Sequence, residues 1–412
     1  MINNSSQIEN KDDVLEVKHN LPRDVVYCKK CVMSNQRPAT HPEFSKKTSK
    51  DTPVSSFGDD GICDACRYYE TKKIIDWDQR SKELEEVCDR FRSKNGQYDV
   101  LVPGSGGKDS IFVSHMLKEK YGMNPLIATW APHSYTDIGW QNLIAWQQVG
   151  HDHILFTPNP VVHAKLTRLA FLNLINPFQP FIIGQKIMGV RMAQKFGIKF
   201  VMYGENQAEA HNDLEATKTP IMDPSHYTRN SSDEALYFGG VELRDLKEHG
   251  IGFEDMQSYL PLLIDEIKDS GLVVHFMSYY TNWSPQRSYY YAKDVSDFKS
   301  NPLGKNEGTY TKFSSLDDKI DGQHYFTSLV KFGQGRAMND ACRDIRDGII
   351  TREEGVRLVH KFDEEFPKNH FKFFLNYIDI TEEQYWEVID KARSQHLWKK
   401  ENNEWKLRHP CR

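Results

Sequence analysis

The chain has 412 residues, enough for two or three domains with substantial cores. Lys and Arg total 53 against 58 Asp and Glu, a formal charge of −5 that argues against bulk nucleic-acid binding. Plentiful aromatic residues (12%) exclude a disordered chain, and no run of roughly eighteen apolar residues marks a membrane span.

Residues 1–24 are polar, lack the apolar core of a signal peptide and read as a flexible tail, so the expected location is cytoplasmic. Residues 25–70 are rich in Pro, Ser, Thr and Asp and carry four cysteines. Apolar residues at helical spacing run from Lys72 to Phe91. Short apolar strands are expected over Tyr98–Val102, Pro125–Trp130, His153–Phe156 and Lys199–Tyr203. Helices are expected over Lys108–Tyr121, Trp140–Val149, Val161–Ile175 and Phe181–Phe196. This alternation predicts an α/β domain with a Rossmann-like parallel sheet over 71–250, helix-covered on both faces. Residues 251–412 contain one strand-like run, Val273–Met277, and then look mostly helical. Thr351-Arg-Glu-Glu354 and Thr381-Glu-Glu-Gln384 are capping boxes. That region is expected to serve the substrate or a partner.

Cys28-x-x-Cys31 and Cys63-x-x-Cys66 match the two knuckles of a four-cysteine zinc site. Two tight turns each present a pair of thiolates, and together they complete a tetrahedron filled by protein, which makes the site structural. The competing readings are ordinary small buried residues and a redox pair. Matched spacing between charged neighbours opposes the first, and the lack of a thioredoxin-like unit opposes the second.

The stretch Tyr98-Asp-Val-Leu-Val-Pro-Gly104-Ser105-Gly106-Gly107-Lys108-Asp109-Ser110 takes a strand through a Ser/Gly turn directly into a helix. Glycines let backbone amides approach a phosphate, and the helix start adds positive partial charge. The pattern is neither the Walker motif nor the dinucleotide fingerprint. An aspartate in a phosphate cradle needs a cation, so Asp109 is expected to ligate Mg²⁺. The simpler reading is a tight turn with a capping aspartate.

Ser105-Gly-Gly-Lys-Asp-Ser110 after an apolar strand resembles the PP-loop signature of the ATP pyrophosphatase superfamily, whose members split ATP between the α- and β-phosphates. Tyr27-Cys28-Lys-Lys-Cys31, Gly61-Ile-Cys63-Asp-Ala-Cys66, Thr136-Asp-Ile-Gly-Trp140, Pro177 to Lys186, Tyr203-Gly204-Glu205-Asn206-Gln207-Ala208-Glu209 and Lys312-Phe313 with Asp317 to Gly322 extend the likeness. Together they are similar to the N-acetyl sugar amidotransferases of the WbpG/PseA type. The resemblance implies ATP, Mg²⁺ and zinc as cofactors and a bacterial acetamido sugar as substrate, a nonulosonic acid or a nucleotide-linked sugar. The sugar's acetyl carbonyl is adenylated and its oxygen replaced by ammonia, giving an acetamidino group for surface polysaccharide or flagellin glycan. The chain shows no glutaminase motif, so the resemblance also implies separate glutaminase and barrel-type channel subunits as partners. A tRNA-modifying PP-loop enzyme, of thiolation or lysidine type, is the competing function. Against it stand the acidic balance and the absence of any cysteine between Cys88 and Cys342.

Catalytic roles are expected of Asp109, Lys108 and Glu205, with Gly104, Ser105, Gly106, Gly107, Ser110 and Gly204 around the nucleotide. Thr129 and Trp130 end a strand and are candidates to border adenosine, with core packing the alternative for Trp130. Glu205 would ligate Mg²⁺ or orient ammonia, or else simply favour a helix start. Lys331 and Arg336 would reach a phosphate or carboxylate, or be surface charge. Asp317, Asp318 and Asp321 would meet metal or amidine, or form a solvated turn. The aromatics from Phe276 to Tyr291 would stack on sugar or fill core. His151 and His153 share a strand face without a further metal ligand.

Overall fold

The computed structural model describes residues 15–38, 41–46, 56–206 and 215–412. Residues 1–14 of the expected tail lie outside these, as do Gln207, Ala208 and Glu209 of the quoted motif. Residues 15–24 are a correction to the reading of a free tail. Lys18 N–H donates to Ser394 Oγ (2.9 Å), Lys18 Nζ donates to Lys391 O (2.7 Å), and Leu21 is buried.

The helix expected over 72–91 is α2 (Trp77–Phe91), and a separate helix, α1 (Asp64–Lys72), ends where the expected one begins. Helix α2 starts where Asp76 caps it by accepting from Gln79 N–H. Strands and helices then alternate as β1 (Val100–Pro103), α3 (Lys108–Glu119), β2 (Pro125–Trp130), α4 (Asp137–Gln148), β3 (Asp152–Phe156), α5 (Pro160–Leu174), α6 (Gln179–Lys195) and β4 (Phe200–Tyr203). Among the described residues between β4 and the last strand of the main sheet, the strands are two residues long: β5 (Thr228–Arg229) pairs with β8 (Leu262–Leu263), and β6 (Tyr237–Phe238) with β7 (Val241–Glu242). The chain then returns to the main sheet as β9 (Val273–Phe276).

The main sheet has the order β3-β2-β1-β4-β9 and is parallel throughout. Its fifth strand comes from beyond residue 250, where the sequence reading ends the α/β domain. Alternation along each strand feeds two cores. Leu101, Ala128 and Val201 pack with α5 and α6 on one face, whereas Val100, Val102, Ile127 and Met202 pack with α2, α3 and α4 on the other. Each face is therefore covered, and the order in which strands are added reverses between β1 and β4.

The C-terminal region carries helices Pro285–Val295, Asp321–Phe332, Arg336–Arg346, Arg352–Phe362, Phe371–Tyr377 and Glu382–Ala392. Both capping boxes form, at Thr351/Glu354 and Thr381/Gln384. The chain ends in a hairpin of β10 (Trp398–Glu401) and β11 (Glu404–Leu407), which a reading of helices alone misses. Its turn residues Asn402 and Asn403 have φ of 51° and 64°, the positive values that a tight hairpin needs. Among the described residues, no helix is long and apolar enough to cross a membrane.

Candidate active site and metal centre

The glycine loop lies at the carboxyl end of β1, beside β4, where an open parallel sheet offers its ligand crevice. Gly104 N–H donates to Ala128 O (2.9 Å), tying the turn to β2. Gly106 has φ of +83°, and a Cβ there would lie 2.6 Å from the Leu143 Cα on α4. Only glycine meets both constraints. Gly107 begins α3 without a side-chain cap, which leaves the first amides of the helix to a ligand. A cleft of about 380 Å³ opens here, lined by Gly104, Ser105, Gly107, Asp109 and Ser110 from the loop and by Gly204 and Glu205 after β4.

Asp109 is held from two sides. Its Oδ2 accepts from Lys108 Nζ (2.5 Å) and its Oδ1 from the Trp283 indole Nε1–H (3.0 Å). The Trp283 carbonyl in turn accepts from the buried Lys72 Nζ at the end of α1 (3.0 Å). Glu205 accepts from Arg343 Nη2 (2.9 Å), and that guanidinium faces the Trp283 ring. Trp283 and Arg343 escaped the sequence reading. Trp283 falls inside the Phe276–Tyr291 aromatic run, of which Tyr280 and Tyr289 pack as core. Phe276 itself lines the cleft. Lys186, quoted only within a motif, also faces it; burial holds its ammonium below the usual lysine range, against an opposing pull from Glu43. Its Nζ is 3.4 Å from His226 Nδ1, and burial together with Lys186 pushes the pKa of His226 down to about 4.

A second cavity of about 320 Å³ adjoins the first and shares Asp109, Gln185, Lys186 and Glu205 with it. Seven Lys and Arg side chains line it against three carboxylates, so its field is positive although the chain as a whole is acidic. Lys331 and Arg336 are both in its wall. Neither is loose surface charge. Lys331 Nζ donates to Leu174 O (2.8 Å), while Arg336 is fixed by Asp340 (3.0 Å), Ser314 Oγ (3.0 Å) and the Tyr325 hydroxyl.

The acidic turn is interior rather than solvated. Burial raises the pKa of Asp317, and the neighbouring Ser105 of the glycine loop opposes that shift. A Cβ on Gly139 would come within 2.5 Å of the Asp317 Cα, so α4 and this turn are in direct contact. Asp318 is buried and accepts from His133 N–H (2.9 Å) and from the His133 ring at Nδ1 (2.6 Å). That places Asp317 at the loop and commits Asp318 to His133.

Thr129 and Trp130 correct the expectation of an adenosine border. Thr129 is fully buried with its hydroxyl 2.9 Å from His153 Nε2. Trp130 is 2% exposed and stacks on Phe156 (5.2 Å), and Gly184 of α6 leaves room for its ring. An inward-facing residue at the end of a central strand meets the covering helices before it meets the crevice. His153 lies on the edge strand β3 and His151 just before it, and burial lowers each pKa to about 4.

The four front cysteines converge. Their Sγ atoms all lie within 4.8 Å of one another, with Cys28–Cys66 at 3.9 Å and Cys31–Cys63 at 3.7 Å. Metal–sulfur bonds of about 2.3 Å in a tetrahedron give edges of about 3.8 Å, so the residues fit a single ion. An iron–sulfur cubane would hold its cysteines farther apart. Backbone N–H groups of Lys30, Cys31 and Cys63 point at Cys28 Sγ (3.4, 3.5 and 3.3 Å), as thiolates require. Around the sulfurs is a third core in which Met338, Ala341, Cys342, Val359 and Cys411 pack on the knuckles. The front segment is thus built into the C-terminal helices.

Fold and site together define a parallel α/β protein with a crevice at its glycine loop and a separate cluster of four cysteines that could hold a metal ion. Residues 307–410 match the family model described as LPS biosynthesis protein WbpG-like, C-terminal domain. An uncharacterized protein of Methanocaldococcus jannaschii is 33% identical over 79 residues, 19% of this chain. The chain spans only 28% of that relative's length. Among solved structures, the U34-tRNA thiolase NcsA from Methanococcus maripaludis with its [4Fe-4S] cluster aligns over 85% of this chain and 95% of its own. The identity is 12% and the TM-score 0.24, a level that carries no argument about chemistry.

Proposed function

We propose that this chain is an ATP-dependent, AMP-forming sugar amidotransferase of the PP-loop type. The observation that carries the reading is the contact between two cavities of different character. One contains the Ser105–Ser110 loop and the uncapped start of α3, the other is cationic, and Asp109, Gln185, Lys186 and Glu205 stand between them. The WbpG-like match over 307–410 supports it, because that segment includes Lys331, Arg336 and Arg343 of the second cavity.

In this reading ATP binds in the first cavity with its phosphates on the loop amides, and an anionic acetamido sugar binds in the second. Asp109 and Glu205 are hard oxygen donors suited to Mg²⁺, which when bound would neutralise phosphate charge. The sugar's amide oxygen attacks the α-phosphorus and pyrophosphate departs, leaving an O-adenylated imidate. Ammonia adds to the imidate carbon, AMP leaves with the former carbonyl oxygen, and an acetamidinium remains. Lys108 and Lys186 supply positive charge beside the departing phosphates, and Trp283 and Arg343 hold the two carboxylates in place. The metal at the four cysteines is zinc in this reading, with a structural role. Ammonia would come from the separate glutaminase and channel subunits, so the isolated chain should use ammonium but not glutamine.

Thiolation would need a sulfur carrier at the loop. Cys88, Cys342 and Cys411 are all buried in cores, and none lines either cavity. The test is mass spectrometry after incubation with ATP, ammonium and acetamido sugars. Replacing O by NH lowers the sugar's mass by roughly one unit and releases AMP and pyrophosphate. Unchanged sugars together with AMP transfer to tRNA would reverse the assignment.

A further inference from the structure

Four residues line both cavities: Asp109, Gln185, Lys186 and Glu205. In the amidotransferase reading each cavity hosts one proton transfer. Pyrophosphate leaves the first with a basic oxygen, and ammonia adds in the second with one proton more than the product keeps. A single group that serves both must border both. Asp109 is tied to Lys108 (2.5 Å) and Trp283 (3.0 Å), and Glu205 to Arg343 (2.9 Å). Gln185 does not titrate. Lys186, on α6, remains.

The surroundings of Lys186 let its nitrogen change charge. Among the described residues no carboxylate is within ion-pair distance of Nζ, and its hydrogen-bond contact is His226 Nδ1 at 3.4 Å. Lining the same cavities are His41 and Glu43 of the front segment, Lys108 and Asp109 of the glycine loop, Glu205 after β4, and Asp223 and His226 from a short turn. Burial disfavours the Lys186 ammonium, and the pull of Glu43 in the other direction is weaker. His226 is neutral near pH 7, since burial and Lys186 push its pKa down to about 4. A neutral imidazole accepting at Nδ1 takes one N–H of Lys186 and leaves the rest of the nitrogen to the cavities. Phosphates in the first cavity would favour the ammonium, and their departure removes that support.

We propose that Lys186 is the proton carrier of the reaction, first as an acid and then as a base; the proposal rests on the amidotransferase reading above. Its ammonium gives a proton to the pyrophosphate oxygen as the bond to the α-phosphorus breaks, which leaves Lys186 an amine. Ammonia adds to the imidate carbon and forms a tetrahedral adduct with an –NH3+ group, and the Lys186 amine takes one of those protons. The C–O bond then breaks with its electron pair going to AMP. The acetamidinium remains, and Lys186 is again an ammonium. Buried lysines change charge readily enough for such a role, whereas an arginine does not.

The first test needs no sugar. Trace acetylation of the whole chain with acetic anhydride, followed by peptide mass spectrometry, reads the uncharged fraction of each lysine against pH. In the free chain and in its AMP complex, Lys186 should reach half of its full reactivity at a lower pH than the exposed lysines do. The uncleavable analogue α,β-methylene-ATP should move that half-point to higher pH. A Lys186 that titrates with the exposed lysines, or a half-point that saturating analogue leaves in place, overturns the proposal while the amidotransferase reading stands. The second test uses the acetamido sugar whose mass falls in the assay above. Lys186→Arg keeps a positive charge in place but holds its proton, so amidine formation should drop by about a hundredfold with metal content and Tm unchanged. Turnover by Lys186→Arg at the wild-type rate would show that the residue acts through charge alone, and overturns the proposal. If no sugar loses mass, the amidotransferase reading itself falls and takes this proposal with it.

Discussion

The glycine loop and the four-cysteine cluster are assembled in opposite ways. The loop is contiguous: Gly104 to Ser110 supply its turn, its hydroxyls and the start of α3, and its open side faces a cleft. The cysteine cluster joins residues as far as 38 positions apart, Cys28 to Cys66, and is roofed by Arg346, 315 residues beyond Cys31. An open site can be made locally because the ligand supplies the missing partners. A closed site must recruit protein from wherever the fold brings it. One helix serves both, since Arg343 reaches Glu205 at the cleft and Arg346 reaches the sulfurs.

The largest effect that would test this contrast is loss of one sulfur. Cys66→Ala should strip the metal and lower Tm by about 10 °C or more, because metal binding supplies much of the folding free energy of such segments. Thermal unfolding with metal analysis checks it; an unaltered Tm in metal-free protein would show that the third core alone holds the segment. Asp109→Ala should do the reverse at the open site. Sugar-dependent pyrophosphate release should fall by about a hundredfold or more, with metal content and Tm unchanged. Retained turnover would remove Asp109 from the chemistry.

The same contrast explains what could be read from the sequence. β1 to β4 are short apolar runs whose hydrophobicity is local information, and Gly106 announces its positive φ by being glycine. The convergence of the four cysteines followed from their spacing alone. Trp283, Arg343 and Arg346 were opaque because each acts on a residue more than a hundred positions away, and neighbouring residues carry no sign of it. Trp130 was misplaced for a related reason. Position at a strand end was legible, but the packing of α6 that buries its ring depends on Gly184, fifty-four residues later.

Trp283→Phe sharpens the comparison at the seam. It keeps the ring against Arg343 but removes the N–H donated to Asp109 Oδ1. A hydrogen bond to a charged group is worth about 1.5–3 kcal/mol, so turnover should drop by about 10- to 100-fold, less than for loss of the carboxylate itself. Equal rates for Trp283→Phe and wild type, measured as pyrophosphate release, would show that Lys108 alone positions Asp109.

The smallest effect concerns pH and again separates the two sites. Asp321 begins helix Asp321–Phe332, and burial pushes its pKa up to about 7, opposed by Arg336 and reinforced by Asp317. An unfolded aspartate titrates near about 3.9. Between about pH 4 and pH 7 the folded protein therefore holds a proton that the unfolded chain releases, and stability falls as pH rises. Below that window both states are protonated and the contribution is complete; above it both are ionised and the contribution is gone. One group gives a slope of at most about 1.4 kcal/mol per pH unit. Asp321→Asn keeps the shape without the titration, so urea unfolding should show a flatter pH profile than wild type across this window. Ionised Asp321 also offsets part of the Arg336 charge, so anion binding in the second cavity should weaken in the wild type as pH passes about 7, and should do so less in Asp321→Asn. If both proteins lose anion affinity in parallel, the sensitivity lies elsewhere in the cavity wall.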